Sequence, residues 1–170
     1  MSEQFTNEPM LDMYLFETSQ LIEQLELCIL SSEESSCYTQ DAINEIFRIM
    51  HTIKGSSAMM VFSNIAALAH SIEDVFYFIR EKEPKNIDCS NLSDLILEGI
   101  DFIKIEIEKI RNGDEGDGDS SPLIEDIEKF LTNLKKQNDI VDFGKVEEQF
   151  KPKKQQYYIS QNKTKSPKYE

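Results

Sequence analysis

The stretch TQDAINEIFRIMHTIKGSSAMMVFSNIAALAHSIEDVFYFIR, residues 39–80, decides the fold. Apolar residues return every three or four positions on both sides of a break near Val61. Ile43, Ile46, Met50 and Ile53 precede it; Ile65, Leu68, Ala69, Ile72, Phe76 and Ile79 follow it. That period belongs to helices and not to strands. It predicts one helix from about Thr39 to Met59 and another beginning after Ser63, an expected N-cap, folded on each other as an antiparallel hairpin. A hairpin turning at residue 61 sets residue 51 beside residue 71, so His51 comes level with His70 to Glu73. Met59, Met60 and Phe62 are expected to pack in and around the turn rather than to form a docking patch.

The same spacing continues outward. Upstream, a helix is expected from Pro9, a suitable first-turn residue, to about Leu30, carrying Met10, Tyr14, Leu21, Leu25 and Leu27 and ending in the polar run SSEESS. Downstream, a helix starts near Asp88 to Asn91 and carries Leu92, Leu95, Ile96, Ile100, Ile103, Ile107 and Ile110. Gly99 inside it marks close helix packing, since glycine is a poor helix former. After the loop NGDEGDGDSS, a shorter fifth helix runs from Pro122 to about Lys136. Long amphipathic helices on short loops imply an all-α fold: an up-and-down antiparallel four-helix bundle with an additional C-terminal helix. The bundle is expected over residues 1–137 and a flexible linker over 138–170. KPKKQQYYISQNKTKSPKYE, from Lys151, has six lysines, one acid and no period, and the natural chain is expected to continue past Glu170.

The 170 residues suit one domain, long enough to bury roughly two-thirds of the unfolded surface. Thirty-two acids against 18 bases give a formal charge of -14, with +5 in the last twenty residues and -19 before them. Such a surface repels phosphate backbones and anionic headgroups, which argues against nucleic acid and membrane insertion. The start, MSEQFTNEPM, lacks a basic region followed by an apolar core, so no secretion signal is read and a cytoplasmic location is expected. Cys28, Cys37 and Cys89 form neither an even set nor a CxxC pair, and small buried thiols are expected rather than a disulfide or zinc site.

Chemistry gathers at the two histidines, His51 and His70. A lone helical histidine is more often structural, but the neighbours here are informative. Lys54 and Gly55 stand at i+3 and i+4 from His51, on the same helix face. Lys54 places a cation where a phosphoryl group on the ring would sit. Gly55 costs about 1 kcal/mol in a helix, and clearing the approach of another protein to His51 is a reason for it; tight helix packing is the alternative. Ala66, His70, Glu73 and Tyr77 make one stripe on the next helix. A carboxylate accepting the N–H of one imidazole nitrogen fixes the tautomer and leaves the other nitrogen with a free lone pair. Glu73 is expected to hold Nδ1–H of His51, with Nε2 as the attacking atom, and Lys54 and His70 to neutralise phosphoryl oxygens.

HTIKGSS, residues 51–57, resembles the H-x-[IL]-K-G-[SA] signature of histidine-containing phosphotransfer (HPt) domains. LAHSIED, residues 68–74, is similar to the partner motif of CheA-type chemotaxis histidine kinases. The resemblance covers about residues 5–136 and implies a phosphoacceptor role for His51, a phosphate-side role for Lys54, support from His70 and hydrogen bonding by Glu73. It implies two kinds of partner: a kinase catalytic domain, of the same or a partner subunit, and response regulators of the CheY and CheB type. ATP and magnesium belong with that kinase domain; no cofactor is expected in this chain, which should not phosphorylate itself alone.

Four rivals are weaker. Asp114 to Glu125 has the length of an EF-hand loop, but Gly116 and Gly118 occupy ligand positions and Asp119 stands where glycine is needed, so a solvated interhelical loop is expected. A di-iron bundle requires Glu-x-x-His pairs, and this chain has His70-x-x-Glu73, the reverse order. A phosphorelay HPt protein outside chemotaxis and a non-catalytic acidic adaptor remain as alternatives.

Overall fold

The computed structural model describes residues 2–35 and 37–138, with side chains from residue 8 onward. Five helices follow in order: α1 (Ser2–Glu34), α2 (Gln40–Met59), α3 (Ser63–Lys82), α4 (Cys89–Arg111) and α5 (Ser121–Gln137). No strand occurs among the described residues. α2 packs on α3, α1 on α2 and α4, and α3 on α4, which closes a four-helix ring. The expected all-α bundle with a fifth helix is therefore observed. Residues 1–131 group as one compact unit and a second begins at Thr132, within α5. All of the expected linker except Asn138 lies outside the described residues.

Each helix buries the stripe its spacing dictates. Tyr14, Leu21, Ile22, Leu25 and Ile29 of α1 meet Ile46, Met50 and Ile53 of α2, Leu68, Ile72 and Phe76 of α3, and Leu92, Ile96, Ile100 and Ile103 of α4 in one core. α1 is apolar on its other side too, where Met10, Met13, Phe16 and Leu27 are exposed. Gly99 lets α4 approach α3, because a Cβ there would stand 3.2 Å from Ile72 Cδ1.

Several local expectations need correction. α1 starts seven residues before Pro9 and carries the proline internally, with the loss of one backbone hydrogen bond. It also runs past Leu30 to Glu34, and Ser32 Oγ and Ser35 Oγ donate to the carbonyls of Cys28 and Ser31. Ser63 is not a cap: it is the first residue of α3, and Phe62 occupies the cap position without a side-chain hydrogen bond. The turn instead uses backbone bonds from Val61 N to Ala58 O and from Phe62 N to Ser57 O. Phe62 packs on Tyr14 with ring centroids 5.2 Å apart, whereas Met59 is 76% exposed, against the expected burial. Cys37 and Cys89 are joined in a disulfide, with Cα atoms 5.6 Å apart, and only Cys28 is free. Fifty-two residues separate the pair, and only the bundle brings the approach to α2 beside the start of α4.

The acidic loop is anchored, not simply solvated. Glu106, 1% exposed, accepts from Gly118 N at 2.9 Å and from Asn64 Nδ2 at 3.1 Å, and pairs with Lys109 at 3.0 Å. Asn64 Nδ2 also donates to the carbonyls of Gly116 and Gly118. A side chain at Gly118 would collide with the Glu106 carboxylate.

Val61 sets the hairpin register at φ 64°, where a β-branched side chain crowds its own backbone by about 1–2 kcal/mol. Its side chain is 77% exposed and loses nothing on removal. Val61→Gly is expected to stabilise the protein by about 1 kcal/mol after the added chain entropy is counted. Denaturant unfolding checks this, and a loss of stability would show that the turn is unstrained.

Candidate functional site

The hairpin arithmetic predicts which groups meet, and they do. From α2, the Nδ1 of His51 lies 2.6 Å from Glu73 Oε2 on α3. The Lys54 ammonium, one turn along α2, lies 2.7 Å from the other oxygen, Oε1. His70 Nδ1 is 3.7 Å from Oε1 and its Nε2 3.6 Å from Asp74 Oδ2, both longer than good hydrogen bonds. Glu73 is thus the hub. Its side chain is 8% exposed while that of His51 is 64% exposed.

Burial works to raise the Glu73 pKa, but the donors on His70, Lys54 and His51 outweigh it and hold the carboxyl down to about 2. Glu73 is therefore ionised near neutrality and can only accept hydrogen bonds. The proton between it and a neutral His51 must reside on Nδ1, which leaves the lone pair on Nε2. The neighbouring Glu73 raises the pKa of His70 against the effect of burial, and Asp74 adds to the rise.

Lys54 was expected on the phosphate side and is found on Glu73; an ammonium has three donors and can serve both. Gly55 lies on the exposed face of α2, and a Cβ placed there would meet nothing within 4 Å. Tight packing is not what this glycine serves. Sequence reasoning missed Phe47 and Arg80. The Phe47 ring stacks alongside the His51 imidazole, with centroids 6.2 Å apart and planes 13° from parallel. The Arg80 guanidinium lies 4.2 Å over that phenyl ring. The available signal was spacing: Phe47 is four residues before His51, and Arg80 three after Tyr77.

Comparison with known proteins places the chain in a family. Residues 9–113 match the model of the Hpt domain. The chain belongs to the Hpt domain family. It is 34% identical over 125 residues to the chemotaxis protein CheA of Treponema pallidum, a match covering 74% of this chain and 15% of that protein. With the CheA of Borreliella burgdorferi it shares 36% over 125 residues, 74% of this chain and 14% of the relative. The chain therefore spans about one-seventh of these two relatives. The solution structure of the histidine phosphotransfer domain of CheA superposes with a TM-score of 0.63 at 31% identity, covering 72% of this chain and 92% of that one. The resemblance to the phosphotransfer domain of CheA holds in both sequence and fold. No described helix is long and apolar enough to cross a membrane.

The two shifted pKa values have opposite signs in stability. Glu73, lowered from 4.5 to about 2, stabilises the fold above pH 4.5, and this contribution is lost as the pH falls toward 2. His70, raised from 6.5, contributes fully below 6.5 and loses its contribution as the pH rises through its raised value. The stability difference between the native protein and Glu73→Gln is expected to be largest between pH 4.5 and 6.5, to decline as the pH rises through the raised value of His70, and to vanish as the pH falls toward 2. Unfolding titrations across that range check it; a flat difference would show that these groups are not coupled.

Proposed function

We propose that the chain is the phosphoacceptor domain of a CheA-type chemotaxis kinase acting in the cytoplasm, with His51 as the acceptor. One observation carries the proposal: an exposed imidazole whose Nδ1 is bound at 2.6 Å by a buried carboxylate, so that Nε2 is free. In the first transfer, Nε2 attacks the γ-phosphorus of ATP held with magnesium by a kinase catalytic domain. An N–P bond forms, the bond from phosphorus to the bridging oxygen breaks, and ADP leaves. Nδ1 keeps its proton, and the positive charge gathering on the ring is stabilised by Glu73. Lys54 and His70 lie beside that carboxylate and supply positive charge near the equatorial oxygens.

In the second transfer, a carboxylate oxygen of an aspartate on a response regulator of the CheY or CheB type attacks the same phosphorus. The N–P bond breaks and its electron pair returns to Nε2, which restores the neutral imidazole. Both partners approach over α2 and α3, where Gly55 leaves open space next to the ring. The similarity to CheA favours chemotaxis over another phosphorelay.

Incubation with a CheA catalytic core and ATP is expected to yield a phosphoryl group labile to acid and stable to base. His51→Gln should abolish it while leaving helicity intact; label persisting in that variant overturns the assignment to His51, and a native protein that takes no label leaves the adaptor reading. Glu73→Ala should slow labelling, at or below the low end of the about 10²–10⁴-fold typical of a lost orienting or acid–base contact. Gly55→Gln should raise stability slightly, because glycine costs about 1 kcal/mol, yet obstruct transfer. Thermal unfolding and transfer rates on that variant test the opposite signs, and a loss of both indicates a structural glycine.

A further inference from the structure

The bond to Glu73 holds Nδ1 and restrains the His51 ring, but a single hydrogen bond tolerates tilting of the ring plane about it. The terminal torsion of histidine is broad and roughly two-fold, and the 64% exposure of the side chain leaves much of the imidazole without protein neighbours. Helical side chains lean toward the N-terminus, so the imidazole of His51 reaches back over the turn that carries Phe47. In the turn that follows, Lys54 is directed to Glu73 and Gly55 leaves open space where its Cβ would be. Rotation is therefore limited from one side.

Phe47 is itself held in place. Arg80 covers its face at 4.2 Å, and the Tyr77 ring stands 6.2 Å away, tilted by 39°. Arg80 lies 5.7 Å from the Tyr77 ring as well, and its Nε pairs with Glu81 at 3.2 Å. The result is a two-helix brace, Phe47 from α2 with Tyr77 and Arg80 from α3, ending against the imidazole in nearly parallel planes. A flat ring is the side chain suited to this, because it restricts tilting without covering Nε2.

We propose that Phe47, braced by Arg80 and Tyr77, is a positioning residue that sets the plane of the His51 imidazole and so the direction in which Nε2 is presented. The consequence for rate rests on His51 being the phosphoacceptor; the geometric consequence does not. A ring shared between two or more orientations spends only part of its time aligned, and transfer needs alignment as well as proximity. Removal of the phenyl ring should therefore lower kcat by about 3–10-fold and leave KM within about two-fold.

Two measurements on the full chain test the proposal. Nuclear magnetic resonance of the His51 ring, by side-chain couplings and carbon relaxation, should report one orientation in the native protein and averaging in Phe47→Ala. Phe47→Tyr, which keeps the flat ring, should restore both the single orientation and the transfer rate from a CheA catalytic core and ATP. Arg80→Ala should give partial averaging with Phe47 still present, which covers the case of a poorly folded Phe47→Ala. Unchanged ring behaviour in both Phe47→Ala and Arg80→Ala overturns the proposal, as does a rise in KM at constant kcat. If the native protein takes no label at all, the functional reading fails while the resonance measurement still decides the positioning role.

Discussion

The Glu73 carboxylate is an anion on a residue only 6% exposed, and the site is arranged around satisfying it. A buried charge without partners is strongly destabilising. The partners available come from both helices of the hairpin: His51 and Lys54 on α2 and His70 on α3 itself. The α2–α3 register is consequently not free to slip by a turn. Ring tautomer and placement of the lysine both follow from where this one carboxylate sits.

The bundle contains a second buried carboxylate, and the comparison shows what makes the first chemical. Glu106 is as well hidden as Glu73, but it accepts from a backbone amide and an asparagine and pairs with Lys109. Those partners tie a loop to the end of α4 and provide no group that could take up a phosphoryl. At Glu73 an imidazole replaces the amide donors, and one face of that imidazole is left in solvent. Burial of the carboxylate with exposure of its partner turns a structural anchor into an orienting group.

Much of this was legible in residues 39–80. The helical period and the position of the break were enough to bring His51 level with Glu73, because a tight hairpin leaves little choice of pairing. Gly55 stood out as an unexplained cost, and the open space beside it removes packing as the explanation. Phe47 and Arg80 were not singled out, because a phenylalanine on an amphipathic helix and an arginine near a helix end have ordinary uses. Their meeting across α2 and α3 depends on side-chain directions that a period does not specify. The disulfide was missed for a related reason: Cys37 and Cys89 are 52 residues apart and adjacent only once four helices have packed.

By itself, then, the sequence determined what is local or repeats along the chain: helix type, the hairpin, the acidic surface, and the pairing of an imidazole with a carboxylate. Only the tertiary structure decided which groups share one oxygen, which end in solvent, and which brace one another. Lys54 was legible as a cation near His51, yet its place on Glu73 Oε1 depends on α3 being packed against α2. Periodicity encodes the face a residue occupies. Distances between faces arise from packing all the helices at once, and so do the burial and the depressed pKa of Glu73.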